Sequence, residues 1–334
     1  MSIQSGPQEI TFEKAIAQTD KCQRHLLLGN GFSINARKSF NYDSLFESGK
    51  PFSSEVARIF QEQGANDFEL ALENAQSQLH KDEINSAFLR ALSKVHPHSS
   101  VNVTDDEADH CTRFLEHFVG ISRRQLRGRV YTTNYDLLLY WVVVRKKRRL
   151  WCYDNHEGSG GAWQPEKIDP GLVYLHGALH LFERDNQQIK LHYPGGGRLI
   201  DQMRERLNQG EFPVIVAEGT SVAKSERIQR SAYLKKASKL LKSGLRGTEC
   251  VLFTYGHSLN ERDSHLFNIL GESKVKAKAI YIGAWGGLDG SQRKAIDDWT
   301  SRWSAARLAN GEVLPPEVWV YDTSKFSPWR ERNQ

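Results

Sequence analysis

The feature that most constrains this chain is a series of short apolar runs, separated by helical segments and ending in glycine or small polar residues. Arg24 to Leu28 leads into Gly29-Asn30-Gly31-Phe32-Ser33, and Arg129 to Tyr131 into Thr132-Thr133-Asn134-Tyr135-Asp136. Leu172 to Leu175 is followed by His176-Gly177, and Pro213 to Val216 by Glu218-Gly219-Thr220-Ser221. Cys250 to Phe253 precedes Gly256-His257-Ser258-Leu259-Asn260, and Ala279 to Ile282 precedes Gly283-Ala284-Trp285; a seventh run is Val318 to Tyr321. Such short runs, rich in β-branched residues and without clean alternation, read as strands covered on both faces. Helical segments lie between several of them, notably Lys224 to Lys242, Glu261 to Leu270 and Ser291 to Ala306. The alternation predicts an α/β fold with a Rossmann-like parallel sheet and helices on both faces.

From about Phe40 to Gln125 the pattern is helical throughout. Ser53 to Gln63, Asp67 to Leu79 and Glu83 to Val95 repeat apolar residues at three- and four-residue spacing, and Thr104-Asp105-Asp106-Glu107 reads as a capping box opening a helix through Phe118. The expected organisation is a nucleotide-binding domain over 22–36 and 126–334, a helical insertion over 37–125 after the first strand, and an N-terminal extension over 1–21. Trp151 to Trp163 and Pro194 to Gly197 read as loops.

Composition narrows the class. The chain has 334 residues, 39% of them apolar and 25% charged, with a net charge of +5. No stretch approaches the roughly 18 consecutive apolar residues of a membrane span, and the polar N-terminus is unlike a secretory signal. The four cysteines, Cys22, Cys111, Cys152 and Cys250, are scattered without zinc-site spacing. A cytoplasmic protein without a metal is expected. The basic run Arg145 to Arg149 closes the helix that starts after Asp136, where cations complement the helix dipole; together with Arg123 and Arg124 it also offers a nucleic-acid contact, which we rank lower.

In an open parallel sheet, ligands bind beyond the C-terminal ends of the strands. Each polar strand end has a plain reading beside a functional one. Gly29 and Gly31 form an ordinary glycine turn, or let backbone amides approach a phosphate. Asn134 bonds to its own loop, or holds a water or ribose hydroxyl. Asp136 supplies charge at a helix N-terminus, or fixes the loop carrying Asn134. His176 is a hydrogen-bonded structural residue, or a general base that is neutral near pH 7. Ser258 has capping-box spacing to Glu261, and caps a helix, contacts a ligand, or does both. Asp67 and Glu69 stay open between a helix N-terminus and a reach into the pocket.

Taken in order, these motifs resemble the sirtuin superfamily, and specifically the SIR2-like proteins of prokaryotes. Gly29-Asn30-Gly31-Phe32-Ser33 resembles the family's Gly-Ala-Gly-x-Ser turn, Thr132-Thr133-Asn134-Tyr135-Asp136 its Thr-x-Asn-x-Asp motif, Leu175-His176-Gly177 the motif of its catalytic histidine, and Gly256-His257-Ser258-Leu259 its Gly-Thr-Ser-Leu turn. Gly219-Thr220-Ser221 is closer by letters but falls one strand too early, and we read it as coincidental. Ala178 to Phe212 contains no cysteine, whereas sirtuin deacylases carry a four-cysteine zinc module there. Ile34-Asn35-Ala36-Arg37-Lys38 replaces their arginine-rich loop.

The resemblance is therefore to SIR2-like NADases, many of them effectors of anti-phage defence. It implies NAD as substrate and Asn134 and His176 as the residues that cleave the nicotinamide–ribose bond. Gly29, Asn30, Gly31, Phe32, Ser33, Thr132, Thr133, Asp136, Gly256, His257, Ser258 and Asn260 are the implied NAD contacts. It further implies a homo-oligomer and a phage-derived or operon-encoded trigger, with no membrane association. Alternatives are a non-catalytic NAD or ADP-ribose sensor and a protein deacylase or ADP-ribosyltransferase.

Overall fold

In a computed structural model the protein is described over residues 6–119, 128–146, 150, 156–157, 162–163, 171–184, 187–191, 198–311 and 316–331. Arg123, Arg124, Lys147, Arg148, Arg149, Cys152 and the glycines of 158–161 and 195–197 lie outside the described residues. The strands are β1 (Gln8–Glu9), β2 (Gln23–Leu28), β3 (Val130–Thr132), β4 (His156–Glu157), β5 (Ala162–Trp163), β6 (Leu172–Tyr174), β7 (Leu181–Arg184), β8 (Gln187–Lys190), β9 (Cys250–Tyr255), β10 (Ala279–Ala284) and β11 (Glu317–Asp322). Among the described residues, seven form one sheet in the order β1-β11-β10-β9-β2-β3-β6, and every pairing in it is parallel.

The expected parallel sheet is thus present. From β2 the chain moves outward through β3 to β6, then returns to the other side of β2 and continues through β9, β10 and β11. That reversal makes β2/β9 the switch point of a Rossmann-like, doubly wound fold, where the chain leaves the two strands in opposite directions. All residues of β9 and β10 are buried, which accounts for their unbroken apolar sequence.

Helices cover both faces. Leu26 pairs with Phe253 and Leu27 with Tyr131, and neighbouring rows of a sheet point to opposite sides. Phe253 meets Phe118 of helix Asp105–Val119 at 5.4 Å between ring centres. On the other side, the Tyr131 hydroxyl donates to Leu240 O, in helix Ala232–Gly244, at 3.0 Å.

Among the described residues between β2 and β3 the chain is helical and strand-free, as the spacing predicted. Asn41, Ser53, Asp67 and Ser77 each cap a helix through a side-chain oxygen. The capping box at Thr104 is formed in both directions, with Glu107 N donating to Thr104 Oγ1 and Thr104 N to Glu107 Oε2. Phe46, Phe52, Phe60, Phe68 and Phe88 pack as a chain of rings 5.0–6.3 Å apart. Phe88 then meets Tyr135, next to the end of β3, edge-on at 5.7 Å.

Several sequence expectations are corrected. Pro213 to Val216 is no strand of the sheet; it makes a single antiparallel bridge, Ile215 to Gly177. Lys224 to Lys242 is broken at Ser231, which ends helix Ser221–Arg230 and caps helix Ala232–Gly244. A second, antiparallel sheet, β4-β5-β8-β7, was not anticipated, and β4 and β5 fall within a stretch read as loop. The N-terminal stretch contributes β1, an edge strand on β11. Among the described residues, no helix is long and apolar enough to cross a membrane.

Candidate functional site

The C-terminal ends of β2, β3, β6 and β9 open onto one cavity of about 230 Å³, roofed by residues of the helical segment including Phe40, Tyr42, Asp67, Phe68, Glu69 and Phe88. It lies at the switch point, where the fold predicts a ligand.

Here the turns after β2 and β9 pack directly on each other. Gly31 N donates to Gly256 O at 2.8 Å, and a Cβ on Gly29 or Gly31 would come within 2.7 Å of backbone atoms of Gly256 or His257. The two glycines are required by loop-on-loop contact. Their amides are also occupied: Gly29 N donates to Tyr255 O, and Phe32 N to Gly29 O. Gly29, Gly31 and Phe32 therefore have no N–H to offer a diphosphate, contrary to the expected cradle. The Phe32 ring is buried against Trp329, whose Nε1 donates to Phe32 O at 2.9 Å. Ser327 Oγ bonds Asn35 on the same helix. Gly29, Asn30 and Gly31 all line the cavity.

The end of β3 supplies the most ordered part. Asn134 is 9% exposed, and its Nδ2 donates to Gly29 O at 3.0 Å and to Ser33 Oγ at 2.9 Å. Ser33 Oγ in turn donates to Asp136 Oδ2 at 2.5 Å, while Asp136 Oδ1 accepts from Leu138 N at the start of helix Leu138–Arg145. Thr132 Oγ1 holds Asn134 N at 3.0 Å. Asp136 thus stands at the helix N-terminus, bonded to Leu138 N, and its other oxygen fixes the Asn134 loop through Ser33. Burial raises the Asp136 pKa, and the bonds from Ser33 and Leu138 oppose the rise. Asn134 lines the cavity, and with both amide hydrogens used its side-chain oxygen is the atom left for a ligand.

His176 follows β6 and is 2% exposed. Gly177 has φ 77° and a Cβ there would overlap Val214 O, so glycine is needed at this corner. Ala178 N to Val214 O and Val216 N to His176 O clamp the corner against 214–216. That run is what positions the histidine, although it joins no sheet. His176 Nε2 lies 3.0 Å from Nε2 of His265, with the rings nearly parallel at 20°. Burial drives the His176 pKa well below its usual value, with Lys224, His265 and His257 adding to the effect and Asp263 opposing it. The imidazole is neutral at pH 7.

The loop after β9 turns through Gly256 and Leu259, both at positive φ. Ser258 is exposed and lines the cavity. The capping role expected of it falls instead to Asn260, whose Oδ1 accepts from Arg262 N. His257 is buried, with Nδ1 accepting from Leu259 N and Nε2 3.4 Å from Asp263.

Behind these groups lies a charged cluster that the sequence did not disclose. Lys224, 0% exposed, reaches Glu69 Oε2 at 2.9 Å and Asp263 Oδ1 at 2.8 Å. Arg262 pairs with Asp67 at 2.9 Å and Glu73 at 3.1 Å. Burial alone would lower the Lys224 pKa, but its two carboxylates raise it. Burial likewise opposes the shift of Asp263, which the charged Lys224 holds below the usual carboxylate range, with His176 and His257 adding to the effect only when protonated. At Glu69 burial wins over Lys224 and pushes the carboxyl up to about 7; the side chain keeps 31% exposure, through the cavity it lines, and water there moderates the shift. Ser221, set aside as part of a coincidental motif, accepts from His265 N at 2.9 Å and lies 3.4 Å from its Nδ1.

The fold and cavity define a Rossmann-like protein with its polar strand ends gathered at the switch point. The chain belongs to the family described as Domain of unknown function (DUF4917), whose model matches residues 26–293. A comparison with curated proteins returns no match. Among solved structures, the chain is similar to a SIR2 homolog in complex with NAD, at 14% identity over 92% of this chain and 98% of that one, with a TM-score of 0.34. It is also similar to a Sir2 homologue triple mutant in complex with 2′-O-acetyl ADP ribose, at 12% identity over 90% and 99% of the chains, with a TM-score of 0.33. At these scores the likeness carries no functional inference.

Proposed function

We propose that the cavity hydrolyses NAD at the nicotinamide–ribose bond, with Asn134 and His176 as the catalytic residues. The observation that carries the reading is the convergence, at the switch point, of the Asn134 carbonyl oxygen, a neutral buried imidazole and the carboxylates of Asp67, Glu69 and Asp263 on one space. Such a space suits a reaction that develops positive charge at a sugar carbon. The bond from the anomeric carbon to the ring nitrogen breaks and its electron pair neutralises the nicotinamide. Water then adds to the ribosyl cation and loses a proton. Asn134 Oδ1 accepts a hydrogen bond from the water or a ribose hydroxyl, and His176 receives the proton. Preorganised negative charge stabilises the cation without reorganising during the reaction.

Of the residues first expected to contact NAD, Gly29, Asn30, Gly31, Thr133, Asp136, Gly256, His257, Ser258 and Asn260 line the cavity beside Asn134, with aromatic Tyr42, Phe68 and Tyr135. Phe32, Ser33 and Thr132 act behind them. The test is incubation of purified protein with NAD and quantification of nicotinamide and ADP-ribose, in wild type, Asn134→Ala and His176→Ala. Full activity in both variants would falsify the assigned roles.

A sensor that binds NAD or ADP-ribose without turnover is the second reading. It draws on the lowered basicity of His176, which makes the imidazole a weak base. Calorimetric binding with no product under any condition would favour it. The wider proposal of a cytoplasmic, homo-oligomeric anti-phage effector with a phage-derived or operon-encoded trigger is tested by cellular NAD on expression, with and without His176→Ala.

A further inference from the structure

We propose that His176, His265 and Asp263 form a binding site for a divalent metal of the zinc class, in the wall between the central cavity and a groove on the outer surface. Three observations carry it. The first is geometry. A tetrahedral ion with ligands at about 2.0–2.1 Å sets its donors roughly 3.3 Å apart. The two Nε2 atoms are already 3.0 Å apart, and one donor atom from each of the three residues lies within 4.8 Å of the others. Two imidazoles and a carboxylate suit zinc, cobalt or nickel rather than calcium or magnesium.

The second is support behind the ligands. The other ring nitrogen of His265, Nδ1, lies 3.4 Å from Ser221 Oγ, which also accepts from His265 N. Asp263 is fixed by Lys224 on one oxygen and His257 near the other. Metal-bound histidine and carboxylate ligands are oriented in this manner by a surrounding layer of hydrogen bonds.

The third is charge and access. Among the described residues, four carboxylates, Asp67, Glu69, Glu73 and Asp263, are ion-paired here with two cations, Lys224 and Arg262. Glu69, raised to about 7, is partly protonated near neutral pH, so the negative surplus lies between one and two, and a divalent ion offsets it. A groove of about 640 Å³, formed by helix Ser221–Arg230 with Ser264, His265 and Asn268, meets His265, while the central cavity meets His176 and Asp263. The remaining coordination position falls to water.

An ion here takes the lone pair of His176, so on the hydrolase reading, on which this consequence rests, the metal is an inhibitor that holds the enzyme silent until removed. The site itself is tested by titrating the full chain with cobalt(II) and following visible absorption. One tight equivalent is expected, with a tetrahedral spectrum lacking a thiolate charge-transfer band. At least tenfold weaker binding is expected in His265→Gln and in Asp263→Asn, each checked for unchanged circular dichroism. Absence of a tight equivalent in wild type overturns the proposal, as does binding unaffected in both variants or a thiolate band. Cobalt binding without NAD turnover under any condition leaves the metal site standing and removes the hydrolase reading. Turnover unaffected by stoichiometric zinc removes only the inhibitory role.

Discussion

Asn134 Nδ2 lies 2.9 Å from Ser33 Oγ, and that hydroxyl spends its own hydrogen on Asp136. The relay runs from the helix start at Leu138 through Asp136 and Ser33 to the amide. Asn134 is therefore oriented by a buried chain rather than by the ligand. Ser33→Ala removes an acceptor from a buried amide hydrogen and is expected to destabilise the protein by about 1–3 kcal/mol. It should also lower kcat for nicotinamide release more than it raises KM, because the group lost acts through orientation. A variant with unchanged kcat would show that the relay is not needed for turnover.

Lys224 bridges Glu69 and Asp263 without contact to solvent. Replacing it with methionine strands two carboxylates beside each other, at a cost of roughly 3–5 kcal/mol. Lys224→Met combined with Asp263→Asn should recover part of that loss. Urea unfolding of the three proteins checks it; a double variant less stable than Lys224→Met contradicts the pairing.

Among the described residues burial depresses the pKa of six histidines: His25 to about 3, His96 and His265 to about 4, with His117, His176 and His257 also lowered. The unfolded chain takes up protons on these groups near pH 6.5 while the folded chain does not. Stability therefore rises with pH in the window from about 4 to 6.5, each histidine contributing up to about 1.4 kcal/mol per pH unit. Glu69 works the other way, since its raised pKa makes the folded state bind the extra proton between its usual range and about 7. The expected result is a clear fall in melting temperature from pH 7 to pH 5, reduced in His96→Gln and enlarged in Glu69→Gln. A melting temperature that climbs on acidification would refute the balance.

Gly31→Ala places a methyl group 2.6 Å from Gly256 Cα, at a contact between two backbones. Overpacking of this kind costs roughly 1–3 kcal/mol. The loops should separate, and ligand binding should weaken together with stability. Substitution at Gly64, which has open space around it, is the control for the general effect of removing a glycine; it sits at a left-handed helix cap with φ 66°, so only the difference between the two is diagnostic.

The sheet was legible because buried parallel strands have a simple signature, and six of the seven apolar runs lie in it. Pro213 to Val216 has the same composition but a different partner, and composition does not record that its backbone closes on His176 and Gly177. Asp67 was ambiguous in sequence because it stands in both places: Oδ1 caps its helix, and the residue lines the cavity with Oδ2 on Arg262. Gly29 and Gly31 were found for the right reason, close approach, but what approaches is Gly256. Lys224 left no signal, since a lysine within a polar helix reads as a solvated face. Only the fold turns it inward, against carboxylates 155 and 39 residues away.

The indole of Trp329, bonded to Phe32 O, joins residue 329 to a turn formed from residues 29–33. The helix Asn30–Ala36 at the cavity wall thus takes part of its support from a contact 297 residues away in sequence. A polypeptide interrupted before residue 329 carries every candidate catalytic side chain and lacks the brace on the turn that Asn134 is bonded to.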